Sequence, residues 1–382
     1  MSSFRVFSAK VAVTAVALLS TTGLVSAQGY DRQSRLSELA ERQSNEDLTF
    51  GIGGTTVEVY GYVKLDLVRD FGYELGNTTF GLVGLSDGSE EGDFTNSTLA
   101  QTRLGFRTWT PTDFGDFTTN LEYDLYGDGA DFATGDNYEE RPRIAKVGLG
   151  PVSVGKDWTT FMPLSSYPIT LDFQGVGGIP FARRPQIRYT QDVATDFVLD
   201  LAIEESNNSL VDSPMYVAAL AYDTDPLLVR GSLIAGEAEN ATGQTVDAYG
   251  VNLSTTAKLR EGLTLDAAVT YGEGISSYLV FLGNDIDAAG NAVENHSAYV
   301  GLSQTVGEKL TLRAIYGYRH DNTPNPIAGT DFETLTTLHL NAQYEFVENA
   351  TVGIEYFRGT KDDFAGNDFD VDRVQASVQY SF

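Results

Sequence analysis

The last fourteen residues, FDVDRVQASVQYSF at 369–382, alternate in character and stop on an aromatic side chain. Val374, Ala376, Val378, Tyr380 and Phe382 fall on one face, and Arg373, Gln375, Ser377, Gln379 and Ser381 fall on the other. A period of two means an extended strand, because successive Cβ atoms point to opposite sides of a sheet. A strand that is apolar on one face and polar on the other suits a barrel with lipid outside and water in its lumen. A closed barrel is one of only two architectures that satisfy every backbone polar group in a bilayer. The pattern recurs along the chain, so the expected fold class is all-β, a transmembrane antiparallel β-barrel.

Following the period predicts about 16 strands. They lie at 55–68, 99–110, 116–126, 140–149, 152–160, 184–191, 196–204, 215–222, 226–235, 246–257, 263–274, 293–306, 309–320, 332–346, 349–359 and 369–382. The connections alternate in length. The short ones are 111–115, 150–151, 192–195, 223–225, 258–262, 307–308 and 347–348. The long ones are 69–98, 127–139, 161–183, 205–214, 236–245, 275–292, 321–331 and 360–368. Short periplasmic turns and long outer loops mark outer-membrane barrels, and this alternation puts both ends of the barrel on the periplasmic side. A soluble sandwich or propeller also has many strands. Against it stand the strand lengths and the aromatics at strand ends. Tyr60, Tyr62, Trp109, Tyr123, Tyr126, Tyr271, Tyr316, Tyr318, Tyr344, Phe346, Tyr356 and Phe357 are expected to form two interfacial girdles.

Residues 1–27 read as a secretory signal peptide. Arg5 and Lys10 are basic, VAVTAVALL at 11–19 is apolar, and VSA at 25–27 offers a small-residue cleavage site. The apolar run is too short to span a bilayer. Residues 28–54 form a short periplasmic N-terminal segment, in which Leu36, Leu39 and Ala40 share one helical face, and 55–382 form the barrel domain. Removing the signal deletes two basic residues and no acidic one. That leaves 53 acidic against 23 basic side chains, a net charge of −30. Such acidity argues against nucleic acid as a partner. With no cysteine there is no disulfide and no thiolate metal site. The acidic loops 87–93, 128–137 and 284–291 carry oxygen ligands, yet none completes a calcium-loop pattern. His296, His320 and His339 have no serine in a nucleophile-elbow pattern, so neither catalysis nor a cofactor is expected.

The stretch VSVGKDWTTFMPLSSYPITLDFQGVGGIPFARRPQIRYTQ at 152–191 and the opening strand VYGYVKLDLVRDF at 59–71 resemble the DcaP-like family of trimeric outer-membrane porins. The shared features are a glycine–tryptophan–phenylalanine strand end, a proline-bearing loop, a Leu-Asp-Phe step and an arginine-proline return strand reading Ile-Arg-Tyr. The family carries a longer coiled-coil extension before the barrel than the roughly fifteen residues found here. The resemblance implies a sixteen-stranded homotrimer in a Gram-negative outer membrane, with passive uptake of small anionic solutes such as dicarboxylates. As in outer-membrane barrels generally, terminal Phe382 is expected to be read by the assembly machinery. Lipid and lipopolysaccharide are the expected surroundings.

The third long loop, 161–183, is unlike the others. It holds Phe161, Met162, Leu164, Tyr167, Ile169, Leu171, Phe173, Ile179 and Phe181, with Asp172 and Arg183 its only charges. A loop this apolar is expected to fold into the lumen and narrow it. Arginine on a lipid face costs about 2–4 kcal/mol at the midplane, so the strand arginines are placed inward. Arg103 and Arg107 lie opposite Leu104 and Phe106, and Arg184 and Arg188 lie opposite Pro185 and Ile187. These four are the expected constriction, faced by Asp172 across a transverse field. Lys64, Arg230, Arg313, Arg319 and Arg373 are further lumen charges. The alternatives are that lumen acids such as Glu122, Asp124, Asp157 and Glu355 neutralise the arginines and leave a non-specific cation-selective porin, or that the barrel is structural or adhesive.

Overall fold

The computed structural model describes residues 48–127, 138–206 and 214–382. The expected signal peptide, residues 28–47 of the N-terminal segment and the acidic loop 128–137 lie outside the described residues. The strands are β1 (Thr49–Ile52), β2 (Thr55–Tyr73), β3 (Glu91–Thr98), β4 (Arg103–Thr110), β5 (Phe117–Asp124), β6 (Arg141–Leu149), β7 (Val152–Trp158), β8 (Arg183–Ala194) and β9 (Phe197–Glu204). They continue as β10 (Met215–Asp223), β11 (Leu227–Glu239), β12 (Thr245–Arg260), β13 (Leu263–Glu273), β14 (Glu294–Val306), β15 (Leu310–Asn322), β16 (Phe332–Val347), β17 (Ala350–Asp363) and β18 (Asp368–Ser381).

Apart from β3 and β4, which both pair with β2, each strand pairs antiparallel with its sequence neighbour, and β18 returns to β2 to close the barrel. The closing seam pairs Arg373 with Asp70 and Ser381 with Tyr62, and terminal Phe382 exchanges two 3.0 Å backbone hydrogen bonds with Gly61. All sixteen expected strands are present. Two details differ. The second stave is broken into β3 and β4, which pair with the upper and lower halves of β2. At the break, the Thr102 hydroxyl accepts from the Lys64 amide and keeps the join hydrogen-bonded. The other addition is β1, which folds back on Thr55–Glu58 and extends the sheet ahead of its expected start. At the short turns, Gly150 and Gly307 take φ of +54° and +65°, the left-handed geometry that tight hairpins need.

The outer face is apolar. Leu253, Val269, Ile354 and Val378 are each more than half exposed on the single chain, which is tolerable only against lipid. Tyr316, Tyr318, Tyr344 and Phe346 lie exposed as girdle residues should. Tyr60, Tyr126 and Phe357 do not. Each is 1% exposed inside the barrel, because each shares strand parity with lumen residues.

The lumen holds the hydrophobic core, and three loops build it. The third loop folds inward as expected, with Phe161, Met162, Leu171, Val176 and Ile179 buried. The first loop joins it with Leu75, Leu82 and Leu85, and the sixth with Ile275, Leu279, Val280 and Phe281. The third and sixth loops pair edge to edge. The Phe181 amide donates to Tyr278 O at 2.7 Å, and Val280 N donates to Ile179 O at 2.8 Å. Burying each such side chain is worth about 1.5–3 kcal/mol, which offsets the cost of ordering a long loop.

Space for these loops comes from glycines on the inner wall. A Cβ at Gly301 would lie 2.7 Å from Pro168, one at Gly353 2.8 Å from Leu171, and one at Gly359 2.8 Å from Leu82. At Gly317 it would meet Gly177 O at 2.4 Å, and at Gly272 it would meet Ile275 at 2.5 Å. The loops therefore lie against β12 to β18, and the inner face of β4 to β9 is less covered.

Candidate pore constriction

The tip of the third loop is pinned to β2 and to β14 through β18. Glu355 accepts from the amides of Leu171 (2.9 Å) and Asp172 (3.2 Å), from Asn341 Nδ2 (2.9 Å) and from His339 Nδ1 (3.0 Å). Lys64 Nζ and Gln375 Nε2 both donate to Leu171 O, at 2.6 and 3.2 Å. Further along, Gly177 N donates to Thr337, and Ser297 and Tyr299 hydroxyls donate to Gly178 O and Ser166 O. A polar inner wall thus satisfies the backbone of an otherwise apolar loop, as burial requires.

Several expected pore charges are consumed by this work. Asp172 does not face the arginine quartet. Its carboxylate accepts from Thr79 N and Oγ1 on the first loop and lies 3.6 Å from Arg373. Arg373 is fully buried and forks onto Asp70 at 2.5 and 2.9 Å while donating to Gly76 O. Arg184 likewise leaves the quartet. It donates to Ser277 O at 3.3 Å and lies over the Tyr278 ring, so it ties the sixth loop to β8. Arg319 binds Asp321 and donates to Val280 O and Leu282 O, another tie to that loop. Lys64 pairs with Asp66 at 3.3 Å, and Arg313 donates to Gln343 at 2.5 Å.

The remaining cations line the less covered wall in two groups. In the first, Arg107 stacks on Tyr60 at 4.1 Å and lies 3.7 Å from Glu58. Tyr60 OH donates to Glu122, which is 3.6 Å from Arg103. In the second, Arg188 lies 3.8 Å from Asp157 and donates to Gln186 and to Trp158 O, and Arg230 donates to Thr160 O and lies 3.9 Å from Asp200.

The sequence reading passed over Arg141, Arg143 and Lys146. A register shift opposite Glu122 and Tyr123 leaves Arg143 as an extra residue in β6, so strict alternation breaks there. Pro142, which has no N–H to give a ladder, was the available sign of a bulge. Arg143 bridges Glu122 and Asp124 at 2.7 Å each, Arg141 holds Asp124 at 2.6 Å, and Lys146 pairs with Asp157 at 3.0 Å. Exposure within these pairs is unequal. Arg141 is 21% exposed against 0% for Asp124, and Lys146 is 17% exposed against 8% for Asp157. Arg103 and Arg107 likewise exceed their acids, while Arg143, Arg188 and Arg230 are less exposed than Glu122, Asp157 and Asp200.

Among the described residues no three His, Asp or Glu side chains are grouped to hold a metal. In the acidic sixth loop, Asp287 already accepts from the amides of Ala289 and Asn291 and from Thr323. Asp285 accepts from Ser277 N at 2.8 Å, and burial pushes its carboxyl from 3.8 up to about 6. The folded state therefore holds the proton more tightly than the unfolded one. The stabilisation is complete below about pH 4 and is lost as pH rises through 6, a change on the order of 3 kcal/mol. Amide exchange at Ser277–Val280 is expected to slow as pH falls across that range, after correction for intrinsic rates. Asp285→Asn is expected to keep the slow rate at pH 7.5, and protection that instead strengthens with rising pH would count against this account.

Residues 17–382 match the model of the DcaP outer membrane protein family. The fold is similar to that of the outer membrane channel DcaP of Acinetobacter baumannii, with a TM-score of 0.77 at 22% identity, covering 87% of this chain and 99% of that one. An anion-selective porin from Comamonas acidovorans superposes with a TM-score of 0.60 at 15% identity, covering 86% of this chain and 100% of that one. The trimer form of OmpT from Vibrio cholerae gives 0.55 at 15% identity, again covering 86% and 100%. No curated protein matches in sequence.

Proposed function

Because this chain belongs to the DcaP outer membrane protein family, and so is a porin of the Gram-negative outer membrane, we propose that it is a passive diffusion channel that prefers small anions such as dicarboxylates. The observation that carries this reading is the unequal exposure on the wall from β4 to β9. There Arg141, Lys146, Arg103 and Arg107 are each more exposed than the carboxylate they pair with, so these cations meet the water. An arginine-lined passage favours anions through its field and through two-pronged contacts with carboxylates. The acidic outer loops act on entering ions more weakly, since screening at physiological salt confines their reach to about 8–10 Å. Self-association as a trimer fits the trimeric form of a structural neighbour. Phe382 remains the proposed signal to the assembly machinery, and lipopolysaccharide the proposed outer-leaflet neighbour.

The purified protein in a planar bilayer under a potassium chloride gradient is expected to give a reversal potential of anion-selective sign. Arg103→Ala and Arg188→Ala should each reduce it, because each leaves a lumen carboxylate less compensated. A cation-selective wild type would overturn the anion reading and favour the general porin. Absence of any conductance would favour a structural or adhesive barrel.

A further inference from the structure

We propose that His339 is a proton-operated latch on the third loop: with a proton on its ring it tightens the hold of Glu355 on the loop tip, and without one it slackens that hold. This rests on the channel reading above and adds a pH control to its constriction. His339 lies on β16 with its side chain buried in the inner wall, and its Nδ1 is 3.0 Å from Glu355 Oε1 on β17. The same carboxylate accepts from the amides of Leu171 and Asp172 at the loop tip. His339 thus reaches the constriction through one group, as a positioning residue.

Glu355 depends on that contact for its charge balance. It is 1% exposed, and among the described residues His339 is its only ion-pair partner. The permanent cations nearby are engaged with other groups. Lys64 on β2 pairs with Asp66, and Arg373 on β18 pairs with Asp70 and Asp172. Arg313 on β15 donates to Asn341 and Gln343. The loop itself brings Asp172 into electrostatic reach of His339 and Tyr167 into reach of Glu355. Directly opposite His339 on β15 and β17 stand Ile315 and Phe357, which carry no charge. A buried carboxylate without a cation is costly, and a protonated imidazole supplies the missing cation. The Phe357 ring, with its centroid 4.9 Å from that of His339, adds an aromatic surface that favours a cation. With Nδ1 donating to the carboxylate, the bare nitrogen is Nε2. It is buried and makes no hydrogen bond, so a proton arrives there without breaking one. Charge on both partners then adds attraction in a poorly screened site and fixes the carboxylate that the two loop amides need.

The test is amide exchange at Leu171 and Asp172 in the full-length, membrane-inserted protein, corrected for intrinsic rates, together with its current in a planar bilayer, across the range in which histidine changes charge. Exchange at both amides is expected to speed up on the order of tenfold as pH rises through that range, the scale of one charged contact, and open-channel noise should grow with it. The Gly177 amide, bound to the neutral Thr337 hydroxyl, is the control within the same loop and should respond less. His339→Gln keeps a donor for Glu355 but cannot take up a proton, so its exchange at Leu171 and Asp172 should not change with pH. His320→Gln, at a side chain that binds Thr334 instead, should keep the wild-type response. A flat wild-type profile, an equal response at Gly177, or a response that survives in His339→Gln would overturn the latch. The wild-type comparison with Gly177 decides the matter even if His339→Gln does not insert. Absence of conductance would sink the channel reading alone, since exchange still reports on the latch.

Discussion

Gly317→Leu is expected to raise single-channel conductance by about twofold, since the current through a water-filled barrel grows with its open cross-section. The reason is steric and local. A Cβ at position 317 would lie 2.4 Å from Gly177 O and 2.7 Å from Gly177 N, backbone atoms that cannot rotate away. Val176, at 2.5 Å, is also in the way. The strand is held on both sides by β14 and β16, so the loop is the part that must move. Once displaced, the loop loses Gly177 N to Thr337 and Ser297 Oγ to Gly178 O. Single-channel recording checks this, with Gly231→Leu as a control at a wall position where a Cβ meets nothing. Wild-type conductance in Gly317→Leu would mean that the loop does not govern the aperture.

Arg373→Met should produce the largest loss of stability in the barrel, about 3–5 kcal/mol, because removing one partner strands a buried charge. Two carboxylates are affected. Asp70 loses both prongs of its fork, and Asp172 loses the cation 3.6 Å away. The damage reaches the loops, since Asp70 also accepts from Leu75 N, Asp172 holds Thr79, and Arg373 itself holds Gly76 O. The temperature at which the folded barrel converts to its slower-migrating unfolded form on detergent gels reports the change. Adding Asp70→Asn to Arg373→Met should recover much of the loss, because it removes one stranded charge. If the single variant converts at the wild-type temperature, Arg373 is not the strut that joins the seam to the loops.

Much of the architecture was legible in the residues. Strand parity is a local property of the backbone, and a barrel with lipid outside and water inside writes that parity into every stave. Val374, Val378 and Tyr380 on one face, with Arg373 and Gln375 on the other, define the orientation of β18 without knowledge of its neighbours. The same logic turned Arg103, Arg107, Arg188 and Arg230 inward, the side on which Glu122, Glu58, Asp157 and Asp200 lie beside them, and the alternation of short and long connections counted the staves. The apolar third loop was recognisable because its composition is uniform. The first and sixth loops were not, because Leu75–Leu85 and Ile275–Phe281 sit beside the acidic runs 87–93 and 284–291 that dominate each segment as a whole.

What the sequence by itself determined is therefore the class, the stave count, the direction of most side chains and the inward fold of one loop. The tertiary structure alone decided which charges reach the water. Lys64 meets Leu171, Arg373 meets Asp172 and Arg184 meets Ser277, and these partners are distant in the chain. A single bulge put Arg143 into the lumen, and a run of wall glycines chose the side on which the loops lie. Each of these depends on register between strands and on steric fit across the barrel. Neither is encoded in any one segment, because both are properties of surfaces that exist only once the barrel has closed.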